Sequence, residues 1–480
     1  MPIHHSALLR ALLAIFMLPF FCLAHDFRTS SGWPATRSQG YKSQGYKSQT
    51  RQSQVSGTDA KLRAVLQANG VEAIDTPAQD PKHAALGNLL FFDRIICGNN
   101  DTACATCHHP LTSTSDTLSL GVGTGSPNIN EVGIFRVMGE GREFVPRNSP
   151  DIFNRGSVHW TSMFWDSRVS TAGGVATSPA GAALPSELVK PLQIQAMFPP
   201  TSRDEMRGSH EDVFNGNDFA AFADDDFTGI WGALSARVMD NDIYRSMFLD
   251  AFPEVPEADL GFQHVAIALA AFETEAFGMD DSPFDEFLRG NTQAMSPAAK
   301  RGALLFYGKA GCVDCHSGTL LTDQLHHNLA VPQIGPGKNP LTGLDHGRMG
   351  ITADPADEFA FRTPPLRNVA ATGPWMHNGA FSSLEDVIEH HLDPKKSLRD
   401  YRARLQLVQP DLIPTVVNGR TMQDWMLDTA EEVDVDLSRK EKSDLIEFLH
   451  SLTAPDLAAR LQALIPAAVP SGMLENGLGE

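Results

Sequence analysis

The sequence predicts a mainly helical protein, and three observations support this fold class. Apolar residues recur at helical spacing between Phe262 and Ala276. Ser296-Pro297 places a capping hydroxyl before a proline in the first turn, and Ser438 forms a capping box with Glu441. Alternating strand patterns are scarce, whereas Gly and Pro are frequent between the helical stretches. The 480 residues are enough for two or three domains.

The N-terminus is typical of an export signal. Arg10 precedes an apolar run from Ala11 to Ala24, and Pro19 interrupts that run. The run is too short to span a bilayer comfortably. We therefore expect residues 1–24 to be a signal peptide that is cleaved after Ala24. A retained membrane anchor is the alternative.

Residues 25–58 are expected to form a disordered linker. They are rich in Ser, Gln, Gly and Tyr, and they repeat a short unit between Ser38 and Gln49, so they offer nothing that could pack into a core. The net charge of -20 excludes nucleic acid as a natural partner. An acidic surface could steer a basic electron-transfer protein, or it could simply keep the protein soluble.

Two pairs of cysteines carry the strongest chemical signal, and each pair is followed by a histidine. In such a motif the two thiols reach the two vinyl groups of one porphyrin, and the histidine supplies the proximal ligand of the iron. A thioredoxin-like pair does not need that histidine, and a zinc site would need a second pair at close range. The sequence therefore predicts two covalent c-type haems, one in each domain. The motifs are Cys104-Ala-Thr-Cys107-His108 and Cys312-Val-Asp-Cys315-His316.

Further short motifs flank the two haem motifs in a fixed order. They are Leu86-Gly87, Leu90-Phe91-Phe92-Asp93, Arg147-Asn148-Ser149-Pro150, Phe164-Trp165-Asp166-Ser167-Arg168, Gln195, Pro199, Glu205-Met206, Thr363-Pro364-Pro365-Leu366-Arg367-Asn368 and Pro374-Trp375-Met376-His377-Asn378-Gly379. With this set, residues 80–455 resemble the bacterial di-haem cytochrome c peroxidase family, which includes the MauG-type enzymes.

The resemblance implies a fold and an activity. The fold would be two mainly helical cytochrome-c-like domains packed against each other, each enclosing one haem. We expect a peroxidatic domain at 59–293, an electron-transfer domain at 294–456 and a C-terminal tail at 457–480. The activity would be reduction of hydrogen peroxide to water in the periplasm, with electrons from a small c-type cytochrome. MauG-type enzymes instead turn the oxidising power on residues of another protein.

The resemblance also assigns roles to residues of the reactive site. Glu205 would carry a proton between the two peroxide oxygens, with Gln195 beside it and Pro199 shaping the pocket. Trp165 would lie between the two haems and shorten the electron path. Without the family pattern, Glu205 would be interpreted as a solvated acid and Trp165 as a core residue.

Three further positions match those that supply oxygens to an inter-domain calcium ion in the family. They are Asn148, Thr372 and Pro374. Side-chain amide and backbone carbonyl oxygens suit a hard cation. The resemblance therefore implies a calcium site between the domains.

The sequence departs from the peroxidase pattern at the first haem. Peroxidases carry a second histidine in a short Ser-Gly segment after the first motif, and here that stretch is Ser119-Leu120-Gly121-Val122-Gly123. Valine cannot ligate iron. We therefore expect an open first haem that needs no reductive activation, as in MauG-type enzymes.

A second departure concerns the second haem. The peroxidases place a methionine ligand fourteen residues after the histidine that matches His377, and MauG-type enzymes use tyrosine nearby. Here that position is His391. We expect ligation by His316 and His391, and His390 and Met376 are the competing candidates.

Three functions remain open at this point. They are a di-haem peroxidase, a MauG-type enzyme that oxidises a partner protein, and a passive electron carrier. An open iron beside Gln195 and Glu205 argues against a carrier. Family members are often homodimers. No role is assigned to Cys97. The insertion at 169–194 is expected to border the peroxide channel, and no further role is assigned to it.

Overall fold

The structure is a computed structural model that describes residues 46–339, 341–475 and 477, with side chains from residue 57 onward. The signal peptide expected at 1–24 and most of the linker lie outside this range. All side-chain contacts described below lie within the compact unit Gln52–Glu480.

The mainly helical prediction is confirmed. In the described part of the chain the helices are α1 Tyr46–Ala68, α2 Pro81–Phe92, α3 Cys104–Cys107, α4 Pro191–Gln195, α5 Phe227–Met239, α6 Asp242–Ala251, α7 Phe262–Ala276, α8 Pro283–Leu288, α9 Pro297–Phe306, α10 Met349–Thr352, α11 Leu384–Leu392, α12 Pro394–Asp400, α13 Ala403–Gln406, α14 Arg420–Asp428, α15 Arg439–His450 and α16 Leu457–Gln462. None of these helices is both long and apolar enough to cross a membrane.

The described strands form two short antiparallel pairs. Strand β1 Ser162–Met163 pairs with β2 Val169–Ser170, and β3 His326–His327 pairs with β4 Phe361–Arg362. Most of the remaining chain consists of loops and short 3-10 turns.

The three helix signals read from the sequence each mark a real helix. The apolar repeat coincides with α7. Ser296 caps α9 by accepting a hydrogen bond from the Ala299 amide, and Ser438 caps α15 in the same way through the Glu441 amide.

Helix α1 begins inside the segment predicted to be a disordered linker. It starts at Tyr46, so residues 46–58 are helical. Leu62 and Leu66 are buried and anchor its C-terminal half. Once a helix is nucleated, each added residue costs little, and the Gln, Lys and Arg residues of this stretch are good helix formers.

Two separate apolar cores support the two haem motifs. The first core packs α2 against α7 and includes Phe91, and the second packs α9 against α15 and includes Phe306. A glycine brings the helices together in each. A Cβ atom on Gly87 would lie 2.0 Å from the Ala268 carbonyl oxygen, and one on Gly302 would lie 1.8 Å from that of Asp444.

The two ends of the described chain pack across the boundaries expected from the sequence. Leu62 and Leu66 of α1 join the second core, although the segment precedes the first haem motif. Leu457 and Leu461 of α16, together with Val469, join the first core. Residues 457–475 are therefore a packed segment, because burying these apolar side chains is favourable.

Arg147 connects the part of the chain around Trp165 with the part that follows the second motif. Its guanidinium lies 2.6 Å from an oxygen of Asp166 and 2.6 Å from an oxygen of Asp345, and all three side chains are buried. Burial alone would favour neutral Asp166, but Arg168 and Arg147 hold the pKa of its carboxyl well below the usual range. The buried triad therefore remains charged.

Candidate active site

The first motif forms one wall of a cavity. Cys104 and Cys107 begin and end α3, and His108 follows at its C-terminus. The Nδ1 atom of His108 donates to the Thr114 carbonyl oxygen at 3.0 Å. Burial lowers the pKa of His108 to about 4, so the imidazole is neutral and its Nε2 atom is left as a ligand.

The cavity over this motif fits a porphyrin. It encloses about 1380 Å³ of space free of protein atoms, its opening to solvent included, and it is lined by both thiols and by His108. Its walls are largely apolar, as expected for a buried cofactor. Phe91, Met163 and Leu269 contribute to them.

The predicted reactive residues line this same cavity. Gln195 ends α4, Pro199 opens a 3-10 turn, and Glu205 lies in the turn Arg203–Arg207. The predicted proximity of these residues to the first motif is therefore observed, although their chemical roles are not. Burial raises the pKa of the Glu205 carboxyl, and the cations of Arg168 and Lys338 oppose that rise.

The Gly-Val-Gly stretch packs directly against the Glu205 turn. A Cβ atom on Gly123 would lie 2.0 Å from the Asp204 carbonyl oxygen, and the Thr124 amide donates to the Glu205 carbonyl oxygen at 3.0 Å. Gly121, the neighbour of Val122, lines the cavity. Val122 itself is buried, and its carbonyl oxygen accepts a hydrogen bond from Arg136 at 2.8 Å. Among the described residues that line this cavity, His108 is the one imidazole.

Trp165 lines both the first cavity and the cavity over the second motif. Its indole Nε1 donates to the Asn148 carbonyl oxygen at 3.0 Å, and the Arg362 amide donates to the Trp165 carbonyl oxygen at 2.8 Å. These bonds hold the ring between the two cavities.

The second motif repeats the arrangement of the first. Cys312 and Cys315 line a cavity that encloses about 1680 Å³ of space free of protein atoms, its opening included. The Nδ1 atom of His316 donates to the Leu321 carbonyl oxygen at 3.1 Å. Burial, with a smaller contribution from the neighbouring His391, lowers the pKa of His316 to about 4.

His391 lies close to His316 in this second cavity. The two ring centroids are 6.2 Å apart. With about 2 Å for a metal–nitrogen bond, two imidazoles on opposite sides of one metal ion have centroids about 6.3 Å apart. The Nδ1 atom of His391 donates to the Val387 carbonyl oxygen at 2.8 Å, which leaves its Nε2 available. The pair therefore fits a haem iron.

The two competing candidates for this ligand, His390 and Met376, differ in their position relative to the second cavity. His390 is fully buried outside the cavity lining, and its Nδ1 bonds the Ser397 hydroxyl at 2.9 Å. Its ring stands at 88° to that of His391. Met376 does line the second cavity, so it remains a structural alternative.

The three residues expected at a calcium ion lie in one region. Asn148, Thr372 and Pro374 all line the second cavity. The Asn148 amide nitrogen donates to the Leu118 carbonyl oxygen at 2.8 Å, and the Thr372 hydroxyl donates to that of Val369 at 3.2 Å. Both side chains thus have partners within the protein.

Sequence reasoning missed a buried acid and a buried cation of the first cavity. Glu273 projects from α7, where burial raises its pKa to about 8 against the opposing charge of Arg155. Helix α7 ends with two acids, Glu273 and Glu275, and Glu273 is the buried one; its spacing of four residues from the buried Leu269 was a usable signal. Arg155 donates to the Asp151 carbonyl oxygen at 2.8 Å and covers the ring of Trp160, but its sequence context gives no such signal.

Cys97 is a buried structural thiol. Its Sγ donates to the Met206 carbonyl oxygen at 3.0 Å and to Asp101 at 3.2 Å. Burial raises the pKa of this thiol to about 12, so it stays protonated and unreactive.

Comparisons with known proteins test the family resemblance. Residues 81–293 match the family model for di-haem cytochrome c peroxidase. The methylamine utilization protein MauG of Methylorubrum extorquens is 28% identical over 385 residues, which cover 80% of this chain and 82% of that protein. The cytochrome c551 peroxidase of Pseudomonas aeruginosa is 28% identical over 303 residues, which cover 63% of this chain and 69% of that protein.

Solved structures share the fold. A MauG-like protein associated with microbial copper homeostasis is 25% identical and superposes with a TM-score of 0.54 over 81% of this chain and 95% of its own. The diheme peroxidase BthA of Burkholderia thailandensis is 21% identical, with a TM-score of 0.50 over 84% of this chain and 95% of its own. The family implies two c-type haems. The resemblance predicted from the sequence, to the bacterial di-haem cytochrome c peroxidase and MauG family, is therefore confirmed.

Proposed function

We propose that the protein is an exported, periplasmic di-haem peroxidase that reduces hydrogen peroxide to water with two electrons from a small c-type cytochrome. One observation carries the proposal. The cavity of the first motif combines His108 with Glu205 and Gln195, and the described lining offers no other imidazole that could close the site.

Cys104, Cys107 and His108 would hold the first haem, which would supply the iron at which peroxide is reduced. Glu205 accepts a proton from one peroxide oxygen and returns it to the departing oxygen. The complete reaction consumes two electrons and two protons and releases two waters. Gln195 orients the substrate by a hydrogen bond, and Pro199 narrows the pocket.

Cys312, Cys315, His316 and His391 would hold the second haem, which would supply the point at which electrons enter. Trp165 borders both cavities and shortens the electron path between them. In this scheme residues 59–293 form the peroxidatic domain and 294–456 the electron-transfer domain. Two helices cross these bounds: α1 packs in the core of the electron-transfer domain, and α16 packs in the core of the peroxidatic domain.

The proposal extends to the cell location and to calcium. Export with cleavage after Ala24 delivers the chain to the compartment in which c-type haems are attached. A calcium ion between the domains would use oxygens of Asn148, Thr372 and Pro374, which border one cavity. We also expect a homodimer, because members of the family that the chain resembles are often homodimers.

A MauG-type reaction on a partner protein is the second candidate. The lining of the first cavity supports it, because a site without a histidine cap is open in the oxidised protein. A passive electron carrier is the third candidate, and an open site beside a carboxylate argues against it.

Turnover with a reduced donor tests the proposal. The purified holoprotein is mixed with peroxide and a small ferrocytochrome c, and both are followed by absorbance. We expect two ferrocytochromes to be oxidised for each peroxide consumed. Peroxide consumption with no donor oxidation, and with new oxidised residues on an added protein, would favour the MauG-type reaction. If the protein consumes no peroxide, the result would indicate a passive electron carrier.

A further inference from the structure

The end of the described chain reaches back to the first haem motif. Residues 469–475, here called the C-terminal strap, run antiparallel to the end of α2. The Arg94 amide donates to the Met473 carbonyl oxygen at 3.2 Å, and the Glu475 amide donates to that of Phe92 at 2.8 Å. The strap thereby places Glu475 beside α3.

Glu475 is a fully buried acid in contact with the attachment turn. Its Oε2 atom accepts a hydrogen bond from the Thr106 hydroxyl at 2.8 Å. Its Oε1 atom lies 3.4 Å from the Arg94 guanidinium, which is also buried. Because a buried carboxylate is costly unless it is paired, this contact is specific and not incidental.

Thr106 transmits the contact to the haem attachment turn. It lies between the two cysteines of the motif, and its Oγ1 also accepts a hydrogen bond from the Ala103 amide at 2.9 Å. Helix α3 has only four residues, so its own hydrogen bonds are few. The geometry of Cys104, Cys107 and His108 therefore depends on contacts from outside the turn.

The strap is anchored without Glu475. The Asp93 carboxylate accepts hydrogen bonds from the Ser471 amide at 3.3 Å and from the Tyr244 hydroxyl at 2.7 Å. Val469 packs in the first core. An apolar residue in place of Glu475 could therefore cover α3 equally well. We infer that the carboxylate of Glu475 does more than fill space in the core.

We propose that Glu475 is a positioning residue for the reactive haem. It fixes Thr106, and through Thr106 the turn that sets the thioether bonds and the His108 ligand. This inference rests on the proposed function only where it concerns the peroxide rate. Its effect on ligand binding at the first haem is independent of turnover.

The test compares Glu475→Ala with Glu475→Gln in the full-length holoprotein. The readouts are the high-spin ferric spectrum of the first haem, its affinity for cyanide and the peroxide rate. We expect Glu475→Ala to lower cyanide affinity and peroxide rate by about 10–100-fold, the usual effect of a lost residue behind a metal ligand. Glu475→Gln keeps an acceptor for Thr106 and should restore most of both values. The low-spin signal of the second haem should not change.

Arg460→Ala is the matched control. Arg460 lies in the same C-terminal segment and pairs with Asp281 at 2.8 Å, but this pair is partly exposed and does not touch α3. The control should leave the first haem unchanged. If Glu475→Ala does not fold, Thr106→Val removes the same hydrogen bond from the other partner and should reproduce the loss.

Unchanged cyanide affinity and high-spin spectrum in Glu475→Ala, or in Thr106→Val where Glu475→Ala does not fold, would overturn the proposal. Equal changes at both haems would also overturn it, because they indicate general damage. A wild-type protein that binds cyanide normally but does not reduce peroxide would contradict the proposed function and leave this inference standing.

Discussion

His391 and His316 both line the second cavity, with their ring centroids 6.2 Å apart. Each ring uses its Nδ1 to bond a backbone carbonyl, at Val387 and Leu321 respectively. Both Nε2 atoms are therefore free to ligate one iron, and both tautomers are fixed. Ligation by two imidazoles gives a lower reduction potential than ligation by histidine and methionine.

Replacing His391 tests this ligand directly. His391→Met should raise the reduction potential of the second haem, because a thioether stabilises the reduced iron. Potentiometry with optical detection measures the change. His390→Gln is the control and should leave the potential unchanged, since His390 lies outside the cavity lining. An effect of Met376→Leu, with none of His391→Met, would identify Met376 as the ligand.

Glu205→Gln tests the proton relay. The amide keeps the size of the side chain but cannot accept a proton, so the peroxide rate should fall by about 10²-fold or more. Stopped-flow absorbance measures that rate. Asp204→Asn is a matched control from the same turn, because Asp204 does not line the cavity. An unchanged rate in Glu205→Gln would remove this residue from the mechanism.

The pH dependence of the peroxide rate is a second test of Glu205 as the general base. Burial raises the pKa of this carboxyl above its ordinary value. A general base must be ionised, so the rate should rise with pH through that elevated pKa and then level off. Glu205→Gln should abolish this rise. A profile that is flat in the wild type over the same range would contradict the assignment.

Trp165→Phe tests the path between the haems. The variant loses the indole and its hydrogen bond to the Asn148 carbonyl oxygen. We expect slower electron transfer from the second haem to the first, with the peroxide reaction of the first haem unchanged. Rapid mixing of the reduced protein with peroxide separates the two steps. Trp231→Phe, a core substitution outside both cavities, should change neither step.

Arg147→Met tests the buried charged link. It leaves Asp166 and Asp345 as buried carboxylates without their shared cation. Breaking a buried pair in this way should lower the free energy of unfolding by about 3–5 kcal/mol. Denaturant unfolding measures the loss. Arg245→Met breaks an exposed pair with Glu257 and should cost at most about 1 kcal/mol. Equal losses in the two variants would refute the role of the link.

The fold was largely predictable where its signals are local. Capping residues such as Ser296 and the apolar repeat of α7 act within a few residues, so the sequence displays them. The haem motifs are equally local. The crossed packing of α1 and α16 was not predictable, because a buried Leu62 or Leu461 looks the same whichever core it joins.

The site was predictable only through its motifs. Trp165, Gln195 and Glu205 all lie well after the first haem motif in the sequence, and their position at its cavity was predicted from the resemblance. Glu475 lies in the segment expected only to be a C-terminal tail, and its contact with Thr106 depends on the folded position of the strap. Val122 was matched to the position of the family's second histidine, and its neighbour Gly121 is the residue of this stretch that lines the cavity.

The resting oxidised holoprotein, mixed with peroxide, gives the most direct test of the central idea, an open first haem beside Glu205. Electron paramagnetic resonance of the ferric protein should show one high-spin and one low-spin haem. Stopped-flow absorbance should then show the high-spin haem reacting at once, with no prior reduction. Two low-spin signals, and no reaction until an electron is added, would contradict the account.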